Sequence, residues 1–208
     1  MKRISLILFL SLSLQFSFAG LLYDITDGKF KVKNLAMPNS MTDGEHYTLM
    51  ANNRAVVKYN YKTGATVDTI FSVTKLKNSP IKKIDGYEFS PNEAKLLVYT
   101  NVKQRYRRTF TADYYVYDVK RNEITQLSEN GAQEVPLFSP DSRYIAFARE
   151  NNLYLKKLDF NSESAITKDG KIGSIINGTP DWVYEEEFTA TRYFEWSPDS
   201  KMLAFVRF

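Results

Sequence analysis

The chain of 208 residues contains no cysteine and a single histidine. The first absence excludes disulfides and thiolate metal sites. The second leaves His46 as the only imidazole, beside an Asp43-Gly44 turn signal. A lone histidine in that setting reads as structural or solvated rather than catalytic. No Gly-x-Ser-x-Gly nucleophile elbow occurs either, so the chain lacks the parts of a Ser-His-Asp triad. A large excess of charge of one sign is also lacking. The formal net charge is +4, and +2 without Lys2 and Arg3. A nucleic-acid binder carries a stronger and more clustered basic bias, so no nucleic-acid partner is expected. After the first twenty residues no apolar run is long enough for a membrane-spanning helix. No sustained 3.6-residue apolar period follows either, which argues against long helices.

What is present begins with a leader. Met1, Lys2 and Arg3 precede an almost wholly apolar or hydroxylic stretch from Ile4 to Phe18, and Ser17-Phe18-Ala19 fits a small-x-small cleavage site before Gly20. This layout predicts a signal peptide over residues 1–19, an exported (periplasmic or secreted) protein and no stable membrane anchor. The remaining chain, with 43% hydrophobic and 14% aromatic residues overall, has ample material for a packed core.

That remainder repeats itself. Tyr87-Glu88-Phe89-Ser90-Pro91-Asn92, Pro136-Leu137-Phe138-Ser139-Pro140-Asp141 and Phe194-Glu195-Trp196-Ser197-Pro198-Asp199 share one pattern. An aromatic residue closes a strand. Proline then presets φ for a turn, and Asn or Asp bonds back to the backbone. A β-type run follows each time: Lys95 to Tyr99, Tyr144 to Ala148 and Met202 to Val206. Tyr114 to Asp118 and Leu153 to Leu155 read as further strands, and a divergent earlier unit spans Met41 to Phe71. Units of about 40–50 residues with four short strands each predict a β-propeller. The fold class is therefore all-β, a partial β-propeller. About four blades occupy residues 20–208, where roughly 4–8 close a propeller, and the last unit is expected to be cut within a blade, after its second strand.

Spacing between the repeats locates two insertions. Phe89 to Asp118 exceeds Phe138 to Asp159 by eight residues, which places extra chain within Asn101 to Thr111 around Arg105-Tyr106-Arg107-Arg108. About 17 extra residues precede Trp196 and include Thr179-Pro180-Asp181-Trp182-Val183-Tyr184-Glu185-Glu186-Glu187. Loops that exceed the repeat on a rigid scaffold are where function tends to sit. Thr179-Pro180-Asp181 resembles a helix start, and a short helix is expected from about Pro180 to Glu187. On a helix, neighbouring glutamates lie about 100° apart, so two can converge on one target. Calcium would need more oxygen ligands than the vicinity offers, and no metal or cofactor is expected. An ammonium group suits such a pair, since a peptide N-terminus is substantially charged near neutral pH. A solvated acidic turn is the competing reading. Asn177-Gly178-Thr179 is in addition a glycosylation sequon, should the chain pass through a eukaryotic secretory route.

The stretch from Asp181 to Glu187 resembles the double-glutamate motif of the dipeptidyl peptidase IV family in the prolyl oligopeptidase clan. Met41 to Thr48, Tyr106-Arg107-Arg108-Thr109-Phe110, Thr111 to Asp118 and the Trp196-Ser197-Pro198 turn are similar as well. The resemblance implies an N-terminal propeller followed by an α/β-hydrolase domain that carries the triad. It implies that Glu186 and Glu187 clamp the free amino group of a peptide substrate. It further implies that Arg107 orients those glutamates and the peptide carbonyl, a role not carried to Arg105 or Arg108. The full enzyme would release Xaa-Pro or Xaa-Ala dipeptides, and family members are commonly homodimers. No catalytic residue is expected in this chain, which is predicted inactive alone. The alternative is a non-catalytic exported propeller that binds peptides or protein partners.

Overall fold

The computed structural model describes residues 20–30, 36–77 and 79–208. The expected signal segment, residues 1–19, lies outside them. Residues 20–26 are helical (α1) and belong to a unit that ends at Met37. The repeats form a separate unit, Pro38–Phe208.

The repeats fold as antiparallel sheets whose strands follow one another in sequence. The first sheet contains β1 (Asn39–Ser40), β2 (His46–Ala51), β3 (Ala55–Asn60) and β4 (Thr66–Ser72). The second contains β5 (Gly86–Phe89), β6 (Lys95–Gln104), β7 (Phe110–Asp118) and β8 (Glu123–Gln126). The third contains β9 (Glu134–Phe138), β10 (Tyr144–Arg149), β11 (Asn152–Lys157) and β12 (Ser162–Ala165). A two-stranded sheet follows, β13 (Phe194–Trp196) with β14 (Leu203–Phe205). Between β12 and β13 lies one short helix, α2 (Trp182–Phe188). Three four-stranded meanders and the start of a fourth are the blades of a partial propeller.

Period-two alternation explains why the blades stack. On β6, Leu96 and Val98 pack with Val56 and Phe71 of the first blade. Leu97 between them joins Phe138, Ile145 and Phe147 of the third. On β10, Ile145 and Phe147 face back toward the second blade, while Ala146 and Ala148 meet Phe194. A blade's second strand is thus apolar on both faces, and each face needs a neighbour. Fully burying a leucine or phenylalanine contributes roughly 1.5–3 kcal/mol, so these seams hold the unit together. The small Ala146 and Ala148 leave room for the large Phe194 and Trp196, and the Trp196 indole donates to the Leu137 carbonyl across the seam at 3.2 Å.

The three Ser-Pro turns share one hydrogen-bond plan. Each serine hydroxyl donates to the Asn or Asp two residues on: Ser90 to Asn92 at 2.9 Å, Ser139 to Asp141 at 2.6 Å and Ser197 to Asp199 at 2.7 Å. Each also accepts the amide that starts the next strand, from Lys95, Tyr144 and Met202. The residue directly after that Asn or Asp takes a left-handed conformation: Glu93 at φ 56°, Ser142 at φ 60° and Ser200 at φ 60°. Its side chain reaches the preceding blade. Glu93 accepts from the Thr42 amide, Ser142 from the Asn92 amide and Ser200 from the Asp141 amide, at 2.6, 3.3 and 3.0 Å. Turn is thereby joined to turn along the unit. His46 is likewise structural. Its Nδ1 lies 2.7 Å from the Asp43 carboxylate in the Asp43-Gly44 turn, which Lys58 also reaches.

Candidate functional site

The first insertion lengthens the β6–β7 hairpin. Its tip, residues 105–109, closes when the amides of Arg105 and Tyr106 both donate to the Thr109 carbonyl at 2.9 and 3.2 Å. The three arginines at this tip go separate ways. The Arg105 guanidinium pairs with Glu134 at 2.7 Å, Arg107 with Glu186 at 3.3 Å, and Arg108 donates to the Glu185 carbonyl at 3.3 Å.

The second insertion presents α2. The expected helix over Pro180–Glu187 is shifted, and it spans Trp182–Phe188. Its N-cap is Asp181, whose carboxylate accepts from the Tyr184 amide at 2.9 Å. Thr179 and Pro180 do not cap it, because they belong to a buried approach. Along that approach residues 176–178 pair with the backbone of residues 206–208. Gly178 is required there. It has φ +76°, and a Cβ would lie 2.7 Å from a Leu153 methyl. Tyr184 then seats the helix in an aromatic cluster, with ring centroids 5.4 Å from Phe188, 6.1 Å from Tyr193 and 4.8 Å from Phe208.

Rotation about the helix gives the three consecutive glutamates three environments. Glu185 is 0% exposed. Its carboxylate accepts from the Arg108 amide at 2.5 Å, the Thr109 amide at 3.1 Å and the Thr109 hydroxyl at 2.5 Å. Burial pushes its pKa up. The Thr109 hydroxyl and the two amides outweigh burial and hold the carboxyl below its ordinary value. Glu185 therefore welds the helix to the hairpin tip, a role that the motif alone did not reveal. The Glu186 side chain is 17% exposed and Arg107 is 70% exposed. Glu187 is exposed and forms no ion pair among the described residues. Among the described residues Arg107 thus pairs with Glu186 and not with Glu187. The result is a half-buried Glu186 facing a guanidinium and, next in the chain, an exposed Glu187, on a helix held by the buried Glu185 carboxylate. Such an arrangement can receive a cation. Among the described residues no cluster of three or more histidine, aspartate or glutamate side chains could hold a metal ion.

Known proteins share this architecture. The family described as the dipeptidyl peptidase IV (DPP IV) N-terminal region matches residues 90–208. Human prolyl endopeptidase FAP is 34% identical over 90% of this chain and 24% of its own length. Dipeptidyl peptidase 4 of Trichophyton rubrum is 34% identical over 84% of this chain and 22% of its own. The crystal structure of Porphyromonas gingivalis dipeptidyl peptidase 4 superposes with a TM-score of 0.83, at 45% identity over 88% of this chain and 27% of that one. The chain thus spans about a quarter of the length of these relatives. By the family match and by its fold, the chain belongs to the dipeptidyl peptidase IV family and corresponds to part of its N-terminal propeller region.

Proposed function

We propose that this chain is the substrate-gripping portion of an exported serine dipeptidyl peptidase that removes Xaa-Pro or Xaa-Ala dipeptides from peptide N-termini. The observation that carries the reading is the half-buried Glu186 and the exposed Glu187 on a helix anchored by Glu185, with Arg107 against Glu186. In this reading Glu186 and Glu187 bind the substrate ammonium, and Arg107 orients Glu186 and the peptide carbonyl. An ammonium anchored at a fixed place on the propeller measures out two residues to the nucleophile. A longer register would leave the amine and the carboxylates unpaired in a partly desolvated site, which is costly. Bond cleavage falls to a Ser-His-Asp triad on an α/β-hydrolase domain outside these residues. The relatives' names, dipeptidyl peptidase and prolyl endopeptidase, support this class of chemistry. No cofactor is required.

The test uses the full-length gene product and a free-amine dipeptide amide. Replacing Glu186→Ala together with Glu187→Ala should abolish cleavage. The N-acetylated form of the same substrate should bind poorly to the unaltered protein. Unchanged turnover in the double variant would remove the assignment.

A further inference from the structure

Arg107 cannot set its own position. Its side chain is 70% exposed and, among the described residues, makes one ion pair, with a closest approach of 3.3 Å. A long exposed side chain held by a surface ion pair is weakly fixed, so its aim depends on the backbone of residues 105–109. One end of that tip is fixed by Glu185, through Arg108 and Thr109. The other end is fixed by the Arg105 guanidinium, which reaches across the blade seam to Glu134 at 2.7 Å. The Glu134 side chain is 7% exposed. A buried carboxylate with a guanidinium partner is held far more firmly than a surface pair.

The way Glu134 is presented is unusual. It opens β9, and the next residue, Val135, has φ +44°. A β-branched residue in that region is a real outlier. The residue before a proline, here Pro136, normally stays extended. The outlier coincides with a bulge. Leu137 pairs with Ala146 and Glu134 with Ala148, so β9 contains one more residue than β10 over the same span. One extra residue reverses the face on which the strand's remaining side chains emerge. The strained Val135 is thus the point that turns Glu134 toward Arg105, and strain of this kind persists where the surroundings require it.

We infer that Glu134 is a positioning residue that acts through Arg105 to fix the hairpin tip, so that Arg107 meets Glu186 and the incoming substrate. This rests on the amine-binding reading of Glu186 and Glu187. It adds a residue of the next blade to the machinery of that site, and couples the site to the seam between the second and third blades.

The test compares Glu134→Gln, Arg105→Lys, the exchange Arg105→Glu with Glu134→Arg, and Glu186→Gln in the full-length gene product. Each is followed by steady-state kinetics on a free-amine dipeptide amide, by melting temperature, and by hydrogen exchange at the Arg108 and Thr109 amides. Glu134→Gln should raise KM about tenfold with kcat within about twofold, the pattern of lost substrate binding. Exchange at both amides should accelerate. The charge exchange should restore KM to within about threefold of the unaltered protein. Arg105→Lys keeps the charge without the planar fork and should fall between, and it carries the test if Glu134→Gln does not fold. A lowered melting temperature with unchanged KM and amide exchange would make Glu134 merely structural and overturn the inference. If Glu186→Gln abolishes substrate binding while Glu134→Gln behaves as unaltered protein, this inference alone fails. If Glu186→Gln has no effect, the amine-binding reading fails with it.

Discussion

Thr109 grips Glu185 twice, through its amide at 3.1 Å and its hydroxyl at 2.5 Å, although 76 residues separate them in the chain. This double bond between a hairpin tip and a helix is what turns two unrelated insertions into one site. It also fixes which glutamates remain available: with Glu185 spent inward, Glu186 and Glu187 are left outward.

Glu185→Gln should therefore weaken the fold. An amide keeps one acceptor oxygen but presents a nitrogen to donors that have nowhere else to turn. Leaving a buried donor unsatisfied costs about 1–3 kcal/mol, which should appear as a lower melting temperature at neutral pH. The pH dependence has a definite sign. The folded-state pKa of Glu185 is depressed, so its contribution is full above the ordinary carboxylate range and is lost as pH falls through the folded value. The gap in melting temperature between Glu185→Gln and the unaltered protein should narrow as the solution is acidified below about pH 4.

Arg107→Ala should behave in the opposite way. An exposed ion pair contributes at most about 1 kcal/mol, so the melting temperature should hardly move. KM for a free-amine substrate should rise about tenfold or more if the guanidinium takes part in binding. Arg107→Lys should recover only part of the loss, because an ammonium lacks the planar fork. Steady-state kinetics beside thermal unfolding separates these outcomes.

Gly178→Ala should destabilise by about 1–3 kcal/mol, from a left-handed φ and a Cβ driven into Leu153. Because residue 178 leads into the approach to α2, the same variant should also raise KM. Gly64→Ala is the control. That glycine has φ +68° but open space around its Cβ position, so it should lower the melting temperature less and leave KM unchanged.

The sequon at Asn177 should carry no glycan in folded protein. Asn177 is fully buried, and its Nδ2, the atom a sugar would occupy, donates to the Asn151 carbonyl and the Asp169 carboxylate at 3.2 and 3.0 Å. Peptide mass measured on folded material secreted from a eukaryotic host should show residue 177 unmodified. Asn177→Ala should lower the melting temperature, because it leaves a cavity at a fully buried position and removes one of the two donors to the buried Asn151 carbonyl.

The blades were legible because they rest on local rules. Ser90, Ser139 and Ser197 announce the turns, and the alternation on β6 and β10 fixes both seams within a few residues. The site was legible only in part. The sequence marks both insertions as longer than the repeat, and the structure brings Arg107 of one to Glu186 of the other. Yet three adjacent glutamates look identical in a sequence, and only the helical rotation, together with donors from a hairpin 76 residues away, buries Glu185. Thr179-Pro180 imitates a helix start, but its segment is taken up by pairing with residues 206–208, and Asp181 caps instead. Val135 defies any local reading. A β-branched residue before proline should be extended, yet it lies at φ +44° where β9 bulges against β10.

The turn-to-turn joints have a direction in time as well as in space. In each, the donor amide belongs to the earlier blade and the acceptor side chain to the later one, separated by 51, 50 and 59 residues. On the ribosome every donor therefore emerges first, and its amide stays with water until some fifty further residues have been made. During synthesis no joint can form before the next turn has been translated.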